Sequence, residues 1–291
     1  MKKNKSSHPI SLSLISRYSI QILFIPMLMS CVSVVSDRRI VNTSDNRPVT
    51  AAFNTGRFDR PGNTEESDIR RRAKIRLELA ANYFQSRQSK IALDEVNNAL
   101  SADPSFSDAH VLKGLILMEA NQNTPADASF KMALALNPAD ADANNTYGWF
   151  LCQSSRSAQA FSYFDKAAAT PFYATPSKPL LNAGICATKA ANYTQAEKYF
   201  LRAQAVDNNP TVLNYHLASL YLKMGDLARA TAYIRKVLSG TKPTADAVWL
   251  GIKVSKKSND SIALAQLVQL LKDDFITSPE WSLYIQGRFD E

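Results

Sequence analysis

Small residues recur along this chain with a nearly fixed period: Ala80, Gly114, Gly148, Gly184, Ala218 and Gly251, at intervals of 34, 34, 36, 34 and 33 residues. Twelve positions after each stands an alanine, namely Ala92, Ala126, Ala160, Ala196, Ala230 and Ala263. Four further on come Val96, Phe130, Phe164, Phe200, Ile234 and Leu267, and three beyond those Ala99, Ala133, Ala167, Ala203, Val237 and Leu270. Prolines close most of the units, at Pro104, Pro138, Pro171, Pro210 and Pro243. Self-similarity at this period marks an array of supersecondary units. None can bury its apolar face alone, so neighbours stack into one continuous core.

Six units in register resemble the tetratricopeptide repeat, a helix-turn-helix of 34 residues, over residues 68–276. The resemblance implies an all-α, right-handed superhelical solenoid whose concave face is lined by the first helix of each unit. The residue sizes agree with it. Small residues midway along the first helix and early in the second let antiparallel helices approach closely, and the aromatic fills the groove between them. Each proline ends a second helix, because it lacks an N–H and drives the preceding residue out of the helical region. Four of the nine glycines serve helix contacts and Gly225 a turn, which leaves little for a phosphate-binding loop. Beyond the sixth unit, Ser278-Pro279-Glu280 reads as an N-cap with proline at the first helical position, so residues 277–291 are expected to hold a capping helix.

The N-terminus has a different character. Lys2, Lys3 and Lys5 precede the ten-residue apolar run from Ile20 to Met29, the charge and hydropathy order of a secretory signal peptide over residues 1–30. At ten residues the run is far short of the roughly 20 needed to span a bilayer, and no other stretch approaches that length. Leu28-Met29-Ser30-Cys31 resembles the bacterial lipobox, which implies diacylation of Cys31, and Val32 in place of an aspartate implies sorting to the outer membrane. Residues 31–67, rich in Ser, Thr, Asn, Asp, Arg and Pro, read as a lipidated N-terminus and flexible tether reaching roughly 30 to 36 Å. The formal charge of +8 overstates the basicity of the exported chain. Without Lys2, Lys3, Lys5 and Arg17 the 34 basic residues become 30, against 26 acidic ones. That is weak evidence for a polyanion, and no nucleic-acid partner is expected.

Little material for catalysis remains. Only His110 and His216 survive signal removal, both on first helices and neither with a second ligand at metal-binding spacing, so both read as packing or groove residues. No nucleophile elbow, zinc-protease or nucleotide-binding motif is present, and no enzymatic activity, metal or cofactor is expected. Cys152 and Cys186 lie one repeat apart, in the second half of successive first helices. In an oxidising compartment they can close a disulfide, or remain two small buried thiols. The basic run from Arg70 to Arg76 is either a contact for anionic headgroups or an acidic partner, or a solvated helical face. Helical phase places Leu77, Phe84, Val111, Leu115, Met118 and Asn145 on the groove face. It adds Trp149, Leu181, Ile185, Tyr215, Ser219 and Leu222, with some of these expected to pack against neighbouring helices. Such a groove suits an amphipathic or extended apolar segment.

The segments between the repeat positions carry a second resemblance. Asn144-Asn145-Thr146-Tyr147-Gly148-Trp149-Phe150-Leu151-Cys152, Pro171-Phe172-Tyr173 with Asn182-Ala183-Gly184-Ile185-Cys186, and Trp249-Leu250-Gly251-Ile252 resemble the type IV pilus biogenesis and stability lipoproteins. Asp274-Phe275-Ile276-Thr277-Ser278-Pro279-Glu280 is similar to the ending of that same PilF/PilW family of secretin pilotins, from which Thr146 and the longer tether depart. The resemblance implies a lipid-anchored adaptor on the periplasmic face of the outer membrane. Its partners would be the pilus secretin subunit, the outer-membrane lipid and the lipoprotein-sorting machinery, and its role would be to support pilus biogenesis and twitching motility. A general periplasmic scaffold for envelope assembly, or a factor stabilising fibres after secretin assembly, stand as alternatives.

Overall fold

The computed structural model describes residues 68–207, 210–240 and 242–290. The expected signal peptide, the Cys31 lipidation site and the tether lie outside the described residues. Thirteen α-helices and no strands occur among those described: α1 (Asp68–Gln85), α2 (Ser89–Ala102), α3 (Ser107–Glu119), α4 (Asn123–Leu136), α5 (Ala141–Gln153), α6 (Ser157–Ala169), α7 (Ser177–Lys189), α8 (Tyr193–Val206), α9 (Thr211–Met224), α10 (Leu227–Leu238), α11 (Ala245–Lys257), α12 (Ser261–Phe275) and α13 (Pro279–Ile285). Consecutive odd and even helices pair as antiparallel hairpins. Each odd helix also touches the next odd helix along the chain, from α1–α3 through to α9–α11. The side on which alternate helices meet is the inner, concave side of an all-α superhelical solenoid.

The size pattern in the repeats is what closes each hairpin. A Cβ added at Gly114 would stand 2.7 Å from the Phe130 ring, and one at Gly148 would stand 2.9 Å from Phe164. Gly184 is pressed against Phe200 in the same way. Phe130, Phe164 and Phe200 are fully buried, as are Ala92, Ala126, Ala160 and Ala196. All six turns inside the units share one conformation. Arg87, Asn121, Ser155, Ala191 and Asn259 have φ between 57° and 60°, and Gly225 takes the matching place with φ 78°. Sequence reading finds this turn only at its one glycine. For the other residue types the left-handed region costs of order 1 kcal/mol, which the hairpin contacts offset.

Polar side chains join successive units. The Tyr147 hydroxyl in α5 donates to Asp127 Oδ1 in α4 at 2.9 Å, and Arg156 donates to the same oxygen at 2.7 Å. Burial pushes the Asp127 carboxyl up, but hydrogen bonds from Lys131, Arg156 and Tyr147 outweigh it and hold the group below the ordinary carboxylate value. Two units later Tyr221 donates to Glu197 at 2.8 Å, with Arg229 on the same oxygen and 4.1 Å above the tyrosine ring. Burial, then Glu197, push the Tyr221 hydroxyl up to about 12. At the C-terminal end Ser278 accepts from the Trp281 amide at 3.1 Å, with Pro279 in the first helical turn. The α13 segment packs Trp281, Tyr284 and Phe289 around Trp249, covering the open end of the array.

Candidate partner-binding groove

The groove face is built from first helices whose other faces are committed to packing, and this divides the twelve residues placed there by helical phase. Leu77 is 1% exposed and Trp149 4%, and Val111, Leu115 and Asn145 are likewise buried. These five belong to the core, which corrects their placement as groove lining. Adjacent first helices touch one another, so the flank of each that faces its neighbour is covered. Asn145 shows this directly, since its Oδ1 accepts from Asn182 Nδ2 of the next first helix at 2.9 Å. The Trp149 indole N–H is buried with no hydrogen-bond partner among the described residues.

The other seven residues, Phe84, Met118, Leu181, Ile185, Tyr215, Ser219 and Leu222, are half-buried. The six large ones pack with one side against the core and keep the other side accessible. They lie on α1, α3, α7 and α9, and they are the candidates for groove lining that burial leaves. Tyr215 marks its far end, where burial, then Asp246 and Glu280, raise the hydroxyl pKa above the ordinary phenol value.

Cys152 and Cys186 are brought into bonding position, with Cα atoms 5.8 Å apart, within the ordinary range for a disulfide. Both are buried, so the pair lies under the groove between α5 and α7. His216 packs against Phe200, ring centroids 5.9 Å apart, and edge-on to Tyr215. Burial pushes its pKa down to about 4, so it is held neutral. His110 Nε2 lies 3.0 Å from the Pro104 carbonyl oxygen. Both histidines are thus engaged locally. In the basic run, Arg70 pairs with Asp103 and lies over Phe106, Arg71 pairs with Asp68, and Arg76 pairs with Glu95. Arg76 thus binds within the first hairpin, whereas Arg70 ties α1 to the connection between α2 and α3.

The chain has relatives among known proteins. The tetratricopeptide-repeat family is matched over residues 212–239. The type IV pilus assembly protein PilF of Pseudomonas aeruginosa is 26% identical over 184 residues, 63% of this chain and 73% of that protein. The crystal structure of PilW, a widely conserved type IV pilus biogenesis factor, is 31% identical and superposes with a TM-score of 0.68, covering 76% of this chain and 100% of PilW. A solved structure of Pseudomonas aeruginosa PilF shares the fold at 24% identity and a TM-score of 0.64, over 76% of this chain and 100% of that one. With the repeat array, the glycine–phenylalanine hairpins and full coverage of PilW at this identity, the chain belongs to the PilF/PilW family of tetratricopeptide-repeat proteins of type IV pilus biogenesis.

Proposed function

We propose that this protein is a pilotin: a non-enzymatic outer-membrane lipoprotein that captures a segment of the type IV pilus secretin in its concave groove. The acyl chains on Cys31, handled by the lipoprotein-sorting machinery, would carry that cargo to the outer membrane and promote its multimerisation. The observation that carries the reading is the set of half-buried apolar residues on the first helices α1, α3, α7 and α9, in a chain whose relatives serve pilus biogenesis. A concave apolar surface of this kind takes an amphipathic or extended segment of another protein. Several acyl chains, at about 0.8 kcal/mol per buried CH₂, give an anchor strong enough to hold such cargo at the bilayer. We take the Cys152–Cys186 pair as oxidised in the periplasm, where it rivets the third unit to the fourth beneath the groove.

The reading is tested by co-purifying the pilus secretin with the full chain carrying Ile185→Ser and Leu222→Ser. Both side chains are half-buried, so the array remains folded, whereas Trp149→Ala would empty a core site. Loss of secretin from the folded double variant is expected. Normal capture would exclude the groove as the binding surface.

A further inference from the structure

Three consecutive first helices carry lysine in their last turn: Lys189 in α7, Lys223 in α9 and Lys257 in α11, spaced 34 residues apart. Lys189 follows Leu181 and Ile185 at steps of eight and four residues, and Lys223 follows Tyr215 and Ser219 likewise, which keeps both on the groove face. Gln153 and Glu119 end α5 and α3 at the matching places. From α3 to α11 the rim therefore runs from acidic through neutral to basic, after the neutral Gln85 that ends α1.

All three lysines are exposed. Among the described residues Lys223 and Lys257 join no ion pair, and Lys189 donates to the neutral Gln153 at 2.7 Å. The junction arginines differ, since Arg70, Arg76, Arg156 and Arg229 all meet carboxylates. Lys253, one turn before Lys257, is half-buried with its ammonium 5.6 Å from the Trp249 ring centre. Burial, then Lys223 and Lys257, push its pKa below the ordinary value, and Asp290 offsets this in part. Three ammonium groups thus share one field. A single lysine per helix end is favoured by the helix dipole, by about 0.3–1 kcal/mol. The dipole does not account for Lys253, crowded by two like charges.

We propose that the basic end of the groove binds an acidic segment of the captured protein, its apolar side chains on Leu181, Ile185 and Leu222 and its carboxylates along Lys189, Lys223 and Lys257. This rests on the reading that the groove captures the secretin. Neighbouring helices pack about 8–10 Å apart. The carboxylates would therefore recur about every three residues of an extended chain, at ~3.3 Å per residue, or about every six of a helix at ~1.5 Å per residue. The charge gradient from Glu119 to Lys257 gives the bound segment one direction, with its acidic part toward the C-terminal units.

The test is binding of the purified pilus secretin subunit to the full chain at graded salt. Three forms are compared: wild type, Lys189→Gln/Lys223→Gln/Lys257→Gln, and the same three positions changed to Glu. Circular dichroism confirms that each variant is folded. The glutamate variant is expected to bind at least about tenfold more weakly at low salt, and the glutamine variant to lose most of the wild type's salt dependence. Binding by the glutamate variant within about twofold of wild type, while Ile185→Ser/Leu222→Ser has lost it, would overturn the acidic-segment proposal and leave the groove reading standing. Retention by both sets of variants, or failure of the wild type to bind, would remove the groove reading and this inference with it.

Discussion

Replacing Gly148 with alanine should weaken the array although it improves helix propensity. Alanine is better than glycine in a helix interior by about 1 kcal/mol. Here, however, the new methyl would stand 2.9 Å from Phe164 Cε1 and 3.2 Å from the Ala160 carbonyl oxygen. Phe164 has no exposed surface and cannot swing aside. Forcing an extra methyl into such a site costs about 1–3 kcal/mol, so the net loss is roughly 0–2 kcal/mol. The chain itself suggests the remedy. Units with alanine at this place, Ala80 and Ala218, carry the smaller Val96 and Ile234 sixteen residues on, whereas Gly114, Gly148 and Gly184 carry phenylalanine. Phe164→Ile alone should cost about 1–3 kcal/mol through the space it leaves. Combined with Gly148→Ala, the pair should recover about 1–2 kcal/mol of the summed losses, as expected for contacting residues. Urea denaturation of the double-mutant cycle measures this, with hydrogen exchange of the α5 and α6 amides resolving the local unit, since arrays need not unfold in one step. A single alanine variant that gains the full propensity increment, or strict additivity in the cycle, would refute the steric reasoning.

Other expectations follow from separate features. Reducing Cys152–Cys186 opens a 34-residue separation, worth about 3–4 kcal/mol in the chain-entropy model. The urea midpoint should fall with reductant, and quantitative thiol labelling of the unfolded, unreduced protein would contradict the bond. The His216 pKa is lowered from 6.5 to about 4, so as pH falls the unfolded chain takes the proton first. The stability contribution of the neutral, packed ring is full above about 6.5 and is lost progressively down to about 4. The ring keeps some solvent contact, so lowering the pH from 7 to 5 should cost wild type about 1–2 kcal/mol more than His216→Phe. Equal pH dependence in the two proteins would sink that assignment. Ala191, with φ 57°, should gain up to about 1 kcal/mol on replacement by glycine. An unchanged or lowered midpoint would mean that the left-handed turn is not strained.

The hairpins and their stacking were legible in the sequence because the period fixes which residues must be small and which aromatic. Gly148 and Phe164 announce their contact by spacing alone. The turns were only partly legible. Gly225 signals a left-handed residue, but Arg87, Ser155 and Ala191 adopt the same φ under tertiary constraint and differ from any helix-end residue only by their register. The groove was legible as a face and not as a surface. Helical phase puts Leu77 and Trp149 beside Ile185 and Leu222, yet the first two are covered by adjacent helices, and phase within one helix carries no information about its neighbours. Pairs such as Tyr221 with Glu197 join different units and leave no local pattern. The lysines at the ends of α7, α9 and α11 could have been found by applying the period to charged positions as well as to small ones.

The central claim, delivery and assembly of the secretin, is tested most directly in a deletion strain by immunoblotting the secretin in separated inner and outer membranes without heating. Loss of the heat-sensitive multimer, or monomers stranded in the inner membrane, with the wild-type pattern restored by the wild-type chain but not by Cys31→Ala or Ile185→Ser/Leu222→Ser, is the result expected of a pilotin. Undiminished multimers in the outer membrane of the deletion strain would contradict it.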